Sequence, residues 1–469
     1  MSGLFSSLNA SVKALTAQSR GIEMAGKNLA NVNNTAYARQ RVLFGDRGTV
    51  QTPEGAQSLG LEALGIQQLR DTLLDRQVLR EVALKSGYEM EQQILQRAQA
   101  SLGQSVGGAD AAGTGSSGGS GIGGALDDFF NAFQGLASRP TDTGERQTLL
   151  QKVDILTDRL RLADNRLAQT QADIDTQIQG DVDEANLLLQ AIADLNTQIG
   201  RAEIGHPGSA VDLRDQRQAK LEELSAKLPI EVRSGTNGMV NVVLKDASSA
   251  DVVLVNDNAV TGPVTFTGTG FTGGSPATAL AISSGSVAVA LATRDGAVQD
   301  VRDRLDTLAH QLVVSVNAAY NPTSVPGADF FDPAGITAAT ITRLSGITAA
   351  NLKAGTGAAG DNSIATAVAA VGNQVFATSG GDFVNGTISQ HYNNTVSNLG
   401  QALSTANSRA EDQFNIEKIV RSQRDGVSGV SLDEEMADLV KYQRAFQASS
   451  RVFSVIDELL DTVVNSLGR

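Results

Sequence analysis

The sequence predicts a mainly α-helical protein with an inserted β region, its N- and C-terminal helices paired as a coiled-coil-like layer around a discontinuous helical body. Three observations carry this expectation. Leu8, Leu15, Ile22 and Leu29 recur every seventh residue near one end, and Leu432, Leu439, Phe446, Phe453, Leu460 and Leu467 do so near the other. A seven-residue apolar repeat forms a narrow seam that is stable only against another helix. Between the ends, long stretches keep apolar residues at helical spacing, and after Pro229 the period changes to that of strands.

The first helix is expected over residues 4–31, with the small seam residues Ser19 and Gly26 letting another helix come close. It exits in the run Asn28 to Thr35, because Asn side chains compete for the helix backbone. A short polar, Gly-containing segment follows, and helical spacing returns over 66–102 through Leu69, Leu73, Val78 and Ile94. Residues 103–124 are rich in Gly, Ser and Ala, too poor in large side chains to offset their ordering entropy, and read as a flexible loop. Helix is expected again over 125–228, with Leu149, Val153, Leu156, Leu160 and Leu167 on one stripe.

Ile230-Glu231-Val232, the turn Thr236-Asn237-Gly238 and Met239 to Leu244 read as a hairpin opening a small β-domain. Helical spacing resumes at Val301, Leu305, Leu308, Leu312 and Val316; residues 322–382 look irregular, and helix returns over 385–425. Ser431-Leu432-Asp433-Glu434 has the form of a capping box, and Asp433, Glu434, Glu435 and Asp438 sit at the positive end of the helix that follows. Gly468 is its stop, giving a helix roughly 54 Å long. The expected domains are 1–40 with 426–469 as a terminal assembly layer, 41–228 with 297–425 as the helical body, and 229–296 as the β-domain.

A chain of 469 residues exceeds one hydrophobic core and calls for two to four domains. With aromatic residues at 4% and no Trp, packing is expected to rest on Leu, Val, Ile and Ala. A formal charge of −14 argues against binding a nucleic-acid backbone. The absence of Cys excludes disulfides, thiolate metal sites and Cys nucleophiles. The first residues have neither the basic nor the apolar region of a cleaved signal, and no stretch reaches the length of a membrane span.

His206, His310 and His391 are far apart and none sits in a metal-ligand pattern. No phosphate-binding loop, dinucleotide fingerprint or nucleophile elbow appears. The charged runs Asp212 to Arg217 and Arg302 to Asp306 read as exposed helical ion pairs rather than catalytic carboxylates. No catalytic, cofactor-binding or metal-binding residue is therefore expected. The layout is that of an assembly subunit, not of an enzyme.

The segment Asn28 to Gln40, with Asn28, Asn31, Thr35, Tyr37, Arg39 and Gln40 in its turn, resembles the N-terminal signature of bacterial flagellar rod, hook and hook-associated proteins. Gly426 to Met436, Tyr442 to Ser449, and the body segments Ile192 to Asn196 and Asp212 to Arg217 resemble the hook–filament junction members of that family. The resemblance covers most of the chain except 103–124 and the β region. Ala36 stands where the family usually has Gly, a strained choice if the turn needs a positive φ.

The resemblance implies an extracellular structural subunit of the flagellum, exported through the type III channel without a cleaved signal and polymerising at the distal end of the hook to join hook to filament. Its implied partners are copies of itself, the flagellar hook protein, a second junction protein (hook-associated protein 3), an export chaperone and the type III export apparatus, with no nucleic acid and no membrane insertion. The terminal helices would form an inner wall and the β-domain would face outward. Three other readings are a distal rod or hook subunit, a secreted enzyme using scattered carboxylates, and a type III effector with a coiled-coil stalk. The body segments count against the first, and the Asn-rich exit with the Gly-Val-Ser-Leu-Asp block counts against the last.

Overall fold

The computed structural model describes residues 2–46, 48–52, 55–58, 60–103, 121–357 and 360–467. Most of the expected flexible loop, residues 104–120, lies outside them. Its end does not: Ile122 already opens a helix and is buried, because an aromatic core lies behind it. The chain divides into two compact units, one of residues 1–86, 182–285 and 413–469, the other of 87–181 and 286–412. Helices α2 (Thr72–Ser101), α4 (Thr143–Ala202) and α9 (Ile388–Ser428) contribute residues to both.

In the first unit, α1 (Ser2–Ala30) is followed by an antiparallel ladder of β1 (Gln40–Asp46) with β4 (Leu61–Gln68), and by a shorter one of β2 (Thr49–Thr52) with β3 (Gly55–Ser58). On sequence alone this stretch reads as an irregular polar segment. The alternation of Val42 and Phe44 on one strand, and of Leu64 and Ile66 on the other, is the strand signal, diluted there by Gly and Gln. The ladder lies along α1, where Arg20 Nη1 donates to the Ala63 carbonyl at 3.4 Å.

Helix α5 (Val211–Lys227) leads into β5 (Glu231–Ser234), β6 (Val240–Lys245), β7 (Asp251–Asn256) and β8 (Ala259–Val260), an antiparallel sheet in sequence order. Asn237 and Gly238 both take positive φ, 47° and 74°, which suits a tight hairpin turn between right-twisted strands. Strands β9 (Thr265–Phe266), β10 (Phe271–Gly273) and β11 (Thr278–Leu280) make a smaller sheet. Helix α10 (Leu432–Leu467) packs on α1. The pair is antiparallel, since Gly21 meets Tyr442 and Asn28 meets Glu435.

The second unit holds α3 (Ile122–Ser138), α6 (Ser286–Thr293), α7 (Gln299–Tyr320) and α8 (Ser363–Val371). A π-helical turn, Arg294–Val298, joins α6 to α7, so helix begins well before the expected Val301. Its core is aromatic. Phe129 and Phe133 lie 5.2 Å apart, Phe133 and Phe330 5.3 Å, and Tyr320 and Phe330 5.2 Å, in tilted or edge-on arrangements that suit ring quadrupoles. Phe129, Phe130, Phe133, Tyr320, Phe330 and Phe331 form this cluster, while the buried residues of the chain remain mostly Leu, Val, Ile and Ala, as expected.

The segment expected to be irregular supplies part of this core. Asn317 on α7 holds it there, accepting from the N–H groups of Phe330 and Phe331 at 3.1 and 2.8 Å and donating to the Phe331 carbonyl at 3.0 Å. Phe330→Ala is expected to cost about 3–5 kcal/mol in a denaturant titration, the range for emptying a buried aromatic site.

Candidate assembly site

An interior asparagine has two N–H donors and a carbonyl oxygen with two lone pairs to satisfy. Asn28 is 1% exposed and satisfies all four. Its Nδ2 donates to the Gln40 carbonyl at 2.7 Å and to the Glu435 carboxylate at 2.9 Å. Its Oδ1 accepts from the Tyr37 hydroxyl at 2.8 Å and the Gln40 N–H at 3.1 Å. One side chain therefore closes the turn after α1 and ties α1 to α10. Asn31 and Asn34 shape the turn itself: Asn31 Nδ2 donates to the Lys27 carbonyl at 3.0 Å, and Asn34 Oδ1 accepts from the Ala36 N–H at 3.2 Å. Ala36 has no positive φ, so glycine is not required there. The carbonyls of Thr35 and Ala36 accept from Arg424 and Arg70, at 2.7 and 2.9 Å.

Arg39 spreads its guanidinium over the first turns of α10. It pairs with Glu435 at 2.6 Å, with Glu434, and with Asp438 at 3.4 Å. The Glu435 side chain is 3% exposed, and a carboxylate that dry requires a partner. The expected capping box does not form. Glu434 is drawn to Arg39 instead of reaching back to Ser431, since a partly shielded guanidinium attracts a carboxylate more strongly than a helix-end N–H does. The Arg39 N–H donates to the Ser428 carbonyl at 2.8 Å, and its own carbonyl accepts from Leu69 at 2.8 Å, joining β1, β4 and the end of α9.

The run Asp212 to Arg217 departs from the expected exposed pairs. Asp212 takes Lys27 at 2.6 Å and Gln40 Nε2 at 3.0 Å. Asp215, 6% exposed, accepts from Gln68 at 2.6 Å, Arg70 at 2.7 Å and the Ala38 N–H at 3.3 Å. Arg214 pairs with Glu203 at 2.7 Å. These partners come from remote parts of the chain, which spacing along one helix cannot reveal. The second run is mixed: Arg304 pairs with Asp300 on its own helix at 2.7 Å, whereas Arg302 reaches Asp164 at 2.9 Å.

Burial pushes the Asp215 carboxyl up to about 6 despite Arg70 beside it, and its Oδ2 lies buried without a hydrogen-bond partner. Burial, then the nearby Asp215, pushes the Tyr37 hydroxyl well above its ordinary range. Glu222 is the opposite case: burial alone would raise it, yet Arg424 and Arg421, each at 2.6 Å, hold it below the usual range.

Along the α1–α10 seam, Leu8, Leu15, Ile22 and Leu29 are half-buried, while the fully covered positions of α1 are Ser11, Ala17, Gly21, Met24, Ala25 and Asn28. On α10, Leu439, Phe453 and Leu460 are half-buried and Ile456 is buried, whereas Leu432 and Phe446 are exposed. The side chain of Leu467 lies outside the described residues. An α-helix drifts by about 20° per heptad, so a strict seven-residue spacing rotates away from its partner. Gly21, not Gly26 or Ser19, is the point of close approach. A Cβ at Gly21 would sit 2.9 Å from the Tyr442 ring, one at Gly26 would meet open space, and Ser19 is exposed. On α10 a second apolar stripe remains uncovered, through Leu432, Met436, Val440, Val452, Val455 and Leu459.

Among the described residues, no group of three or more His, Cys, Asp or Glu could hold a metal ion, and no helix is long and apolar enough to cross a membrane. His310 stacks on Phe383 with ring centroids 3.7 Å apart, and His391 Nε2 lies 3.1 Å from the Arg304 carbonyl.

Comparison with known proteins adds the following. The family profile described as "Flagellar hook-associated protein FlgK helical domain" matches residues 114–331, and "Flagellar basal body rod FlgEFG protein C-terminal" matches 422–467. The chain is 26% identical to the flagellar hook-associated protein 1 of Bacillus subtilis (strain 168), over 100% of this chain and 99% of that protein. It is 24% identical to the Escherichia coli (strain K12) protein of the same name over 52% of this chain, but spans only 42% of that relative. The structure of the flagellar hook junction protein FlgK from Burkholderia pseudomallei superposes with a TM-score of 0.45 at 20% identity, over 55% of this chain and 46% of that one.

Asn28→Ala removes both donors and both acceptor sites at once, leaving buried Tyr37, Gln40 and Glu435 groups unpaired. The expected loss is about 2–4 kcal/mol in urea titration, from the usual cost of stranded buried polar groups. The raised Asp215 carboxyl gives a second expectation. Because it binds its proton more tightly folded than unfolded, it contributes stability below pH 4 that is lost as pH rises toward about 6. The stability of the wild type minus that of Asp215→Asn should therefore grow by about 2–3 kcal/mol between pH 7 and pH 4, since each tenfold change in proton affinity is worth about 1.4 kcal/mol.

Proposed function

This chain belongs to the flagellar hook-associated protein 1 family, and from that premise we propose that it is a structural subunit of the bacterial flagellum that joins hook to filament. The observation that carries this reading is the two-sided apolar character of α10. One side is covered by α1. The other presents Leu432, Met436, Val440, Val452, Val455 and Leu459 to solvent, each between 42% and 56% exposed. A helix that keeps large apolar side chains exposed on its uncovered side offers a surface that a second partner can bury. Each such side chain contributes on the order of 1.5–3 kcal/mol once fully buried.

In this reading the terminal layer of residues 1–40 and 426–469 packs against neighbouring copies, with the hook protein on one side and the second junction protein, hook-associated protein 3, on the other. The β region of residues 229–296 faces outward. The subunit reaches its place through the type III export apparatus with the help of an export chaperone, and its role is mechanical, not catalytic. The polar node around Asn28 supports this, because its charged groups are paired with one another and with backbone.

Val455→Asp tests the reading. Val455 is 56% exposed, so the folded monomer should keep its circular dichroism and its thermal midpoint within a degree or two. Cells carrying the variant should secrete the protein and lack filaments, because a carboxylate in the buried interface is costly to desolvate. Normal filaments in such cells would show that the exposed stripe of α10 is not an assembly surface.

A further inference from the structure

Strand β5 is an edge strand: it pairs with β6 on one side and has no strand on the other. Half of the backbone N–H and C=O groups of such a strand point away from its sheet, and among the described residues no backbone group from outside the sheet bonds to Glu231–Ser234. Natural proteins cover or blunt such edges. Here the outer side of β5 faces two adjoining cavities of about 610 and 370 Å³. Both are lined by Arg76, Leu79, Val232, Arg233 and Ser234, so they form one groove between β5 and the first turns of α2. Buried Leu79, Ala83 and Ile230 supply its apolar lining.

The groove is basic in a chain of net charge −14. Arg70, Arg76, Arg214, Arg217 and Arg233 all line its smaller part, against one carboxylate, Asp75. Most of these cations have acidic partners: Arg70 has Asp75 at 3.1 Å, Arg214 has Glu203, and Arg233 has Asp251. Two do not. Exposed Arg76 makes no ion pair or hydrogen bond among the described residues. Arg217 is 7% exposed, and its Nη1 donates only to neutral oxygens, Asn196 Oδ1 at 2.8 Å and the Gly238 carbonyl at 2.9 Å. Glu203 lies near enough to act on Arg217 but is itself paired with Arg214, so no carboxylate is hydrogen-bonded to this guanidinium, and an incoming anion would offset part of its desolvation cost. Burial, with Arg214 nearby, lowers the Arg217 pKa to about 10, in keeping with that cost.

We propose that this groove is a docking site for an extended acidic peptide segment of a partner protein, which adds to β5 as a further strand and sets a carboxylate against Arg76 and Arg217. The open strand edge supplies the backbone bonds, the apolar lining takes alternate side chains, and the unpaired arginines select for acid. This site lies apart from the exposed stripe of α10 and does not depend on it.

The test uses the full chain and two fluorescein-labelled peptides of alternating valine and aspartate, seven residues long, with aspartate at odd or at even positions. At least one is expected to bind saturably in fluorescence anisotropy, to weaken as salt is raised, and to slow hydrogen–deuterium exchange at Val232–Ser234. Arg76→Glu, a surface change that leaves the fold alone, should weaken binding at least tenfold. A peptide with lysine for aspartate should not bind, and N-methylation of alternate amides should abolish binding while keeping the charge. The proposal is overturned if neither peptide binds, or if Arg76→Glu binds as tightly as the wild type. It is equally overturned if the N-methylated peptide binds unchanged, or if inorganic phosphate displaces the peptide fully at equal concentration, since the groove would then be an anion site without strand pairing.

Discussion

The buried carboxylate of Glu435 is the constraint around which the first unit is arranged. A charge that dry needs a counter-charge and a donor close by, and Arg39 supplies the first and the amide of Asn28 the second. Those two residues lie on either side of one turn, so satisfying Glu435 fixes the turn, the end of α1 and the start of α10 together. Apolar contacts alone would not do this. Four of the most buried positions of α1, Ser11, Ala17, Gly21 and Ala25, are small, and a face of small residues could slide by a turn at little cost. A polar contact inside a helical seam fixes register because every other register leaves it unpaired.

The shifted acidities around this node have structural causes. Asp215, Tyr37 and Glu222 all depart from their ordinary values, a pattern often found in active sites. Their causes are burial and the charged groups packed beside each of them. Asp215 accepts from Gln68, Arg70 and Ala38 through Oδ1, and Glu222 is clasped by Arg421 and Arg424. They act as joints between α5, α9 and the β1–β4 ladder.

The heptads mark both terminal helices, and the bounds of α10 are legible almost to the residue, because amphipathic spacing and end signals are local properties. What faces the partner is less legible. A strict seven-residue count selects Leu432 and Phe446, which helix drift turns outward, and it passes over Gly21 and Ile456, which the contact uses. The long-range partners of Asp212 and Asp215 leave no trace in spacing. Nor does the place of Phe330 and Phe331, since the segment around them is held by Asn317 rather than by any periodic pattern. The β1–β4 ladder has a signal in Val42, Phe44, Leu64 and Ile66, but its glycines and glutamines mask it.

The bond between Asn28 and Glu435 joins residues 407 positions apart. Bringing the ends of an otherwise unfolded chain of that length together costs about 5 kcal/mol in loop entropy. That cost shrinks only as the intervening segments fold. The terminal pair is therefore the last part to close and the first to open, and α1 has no mate until α10 has been made. The contact that ties the end of α1 in place is thus made late in folding, and every intervening segment that folds first lowers its cost.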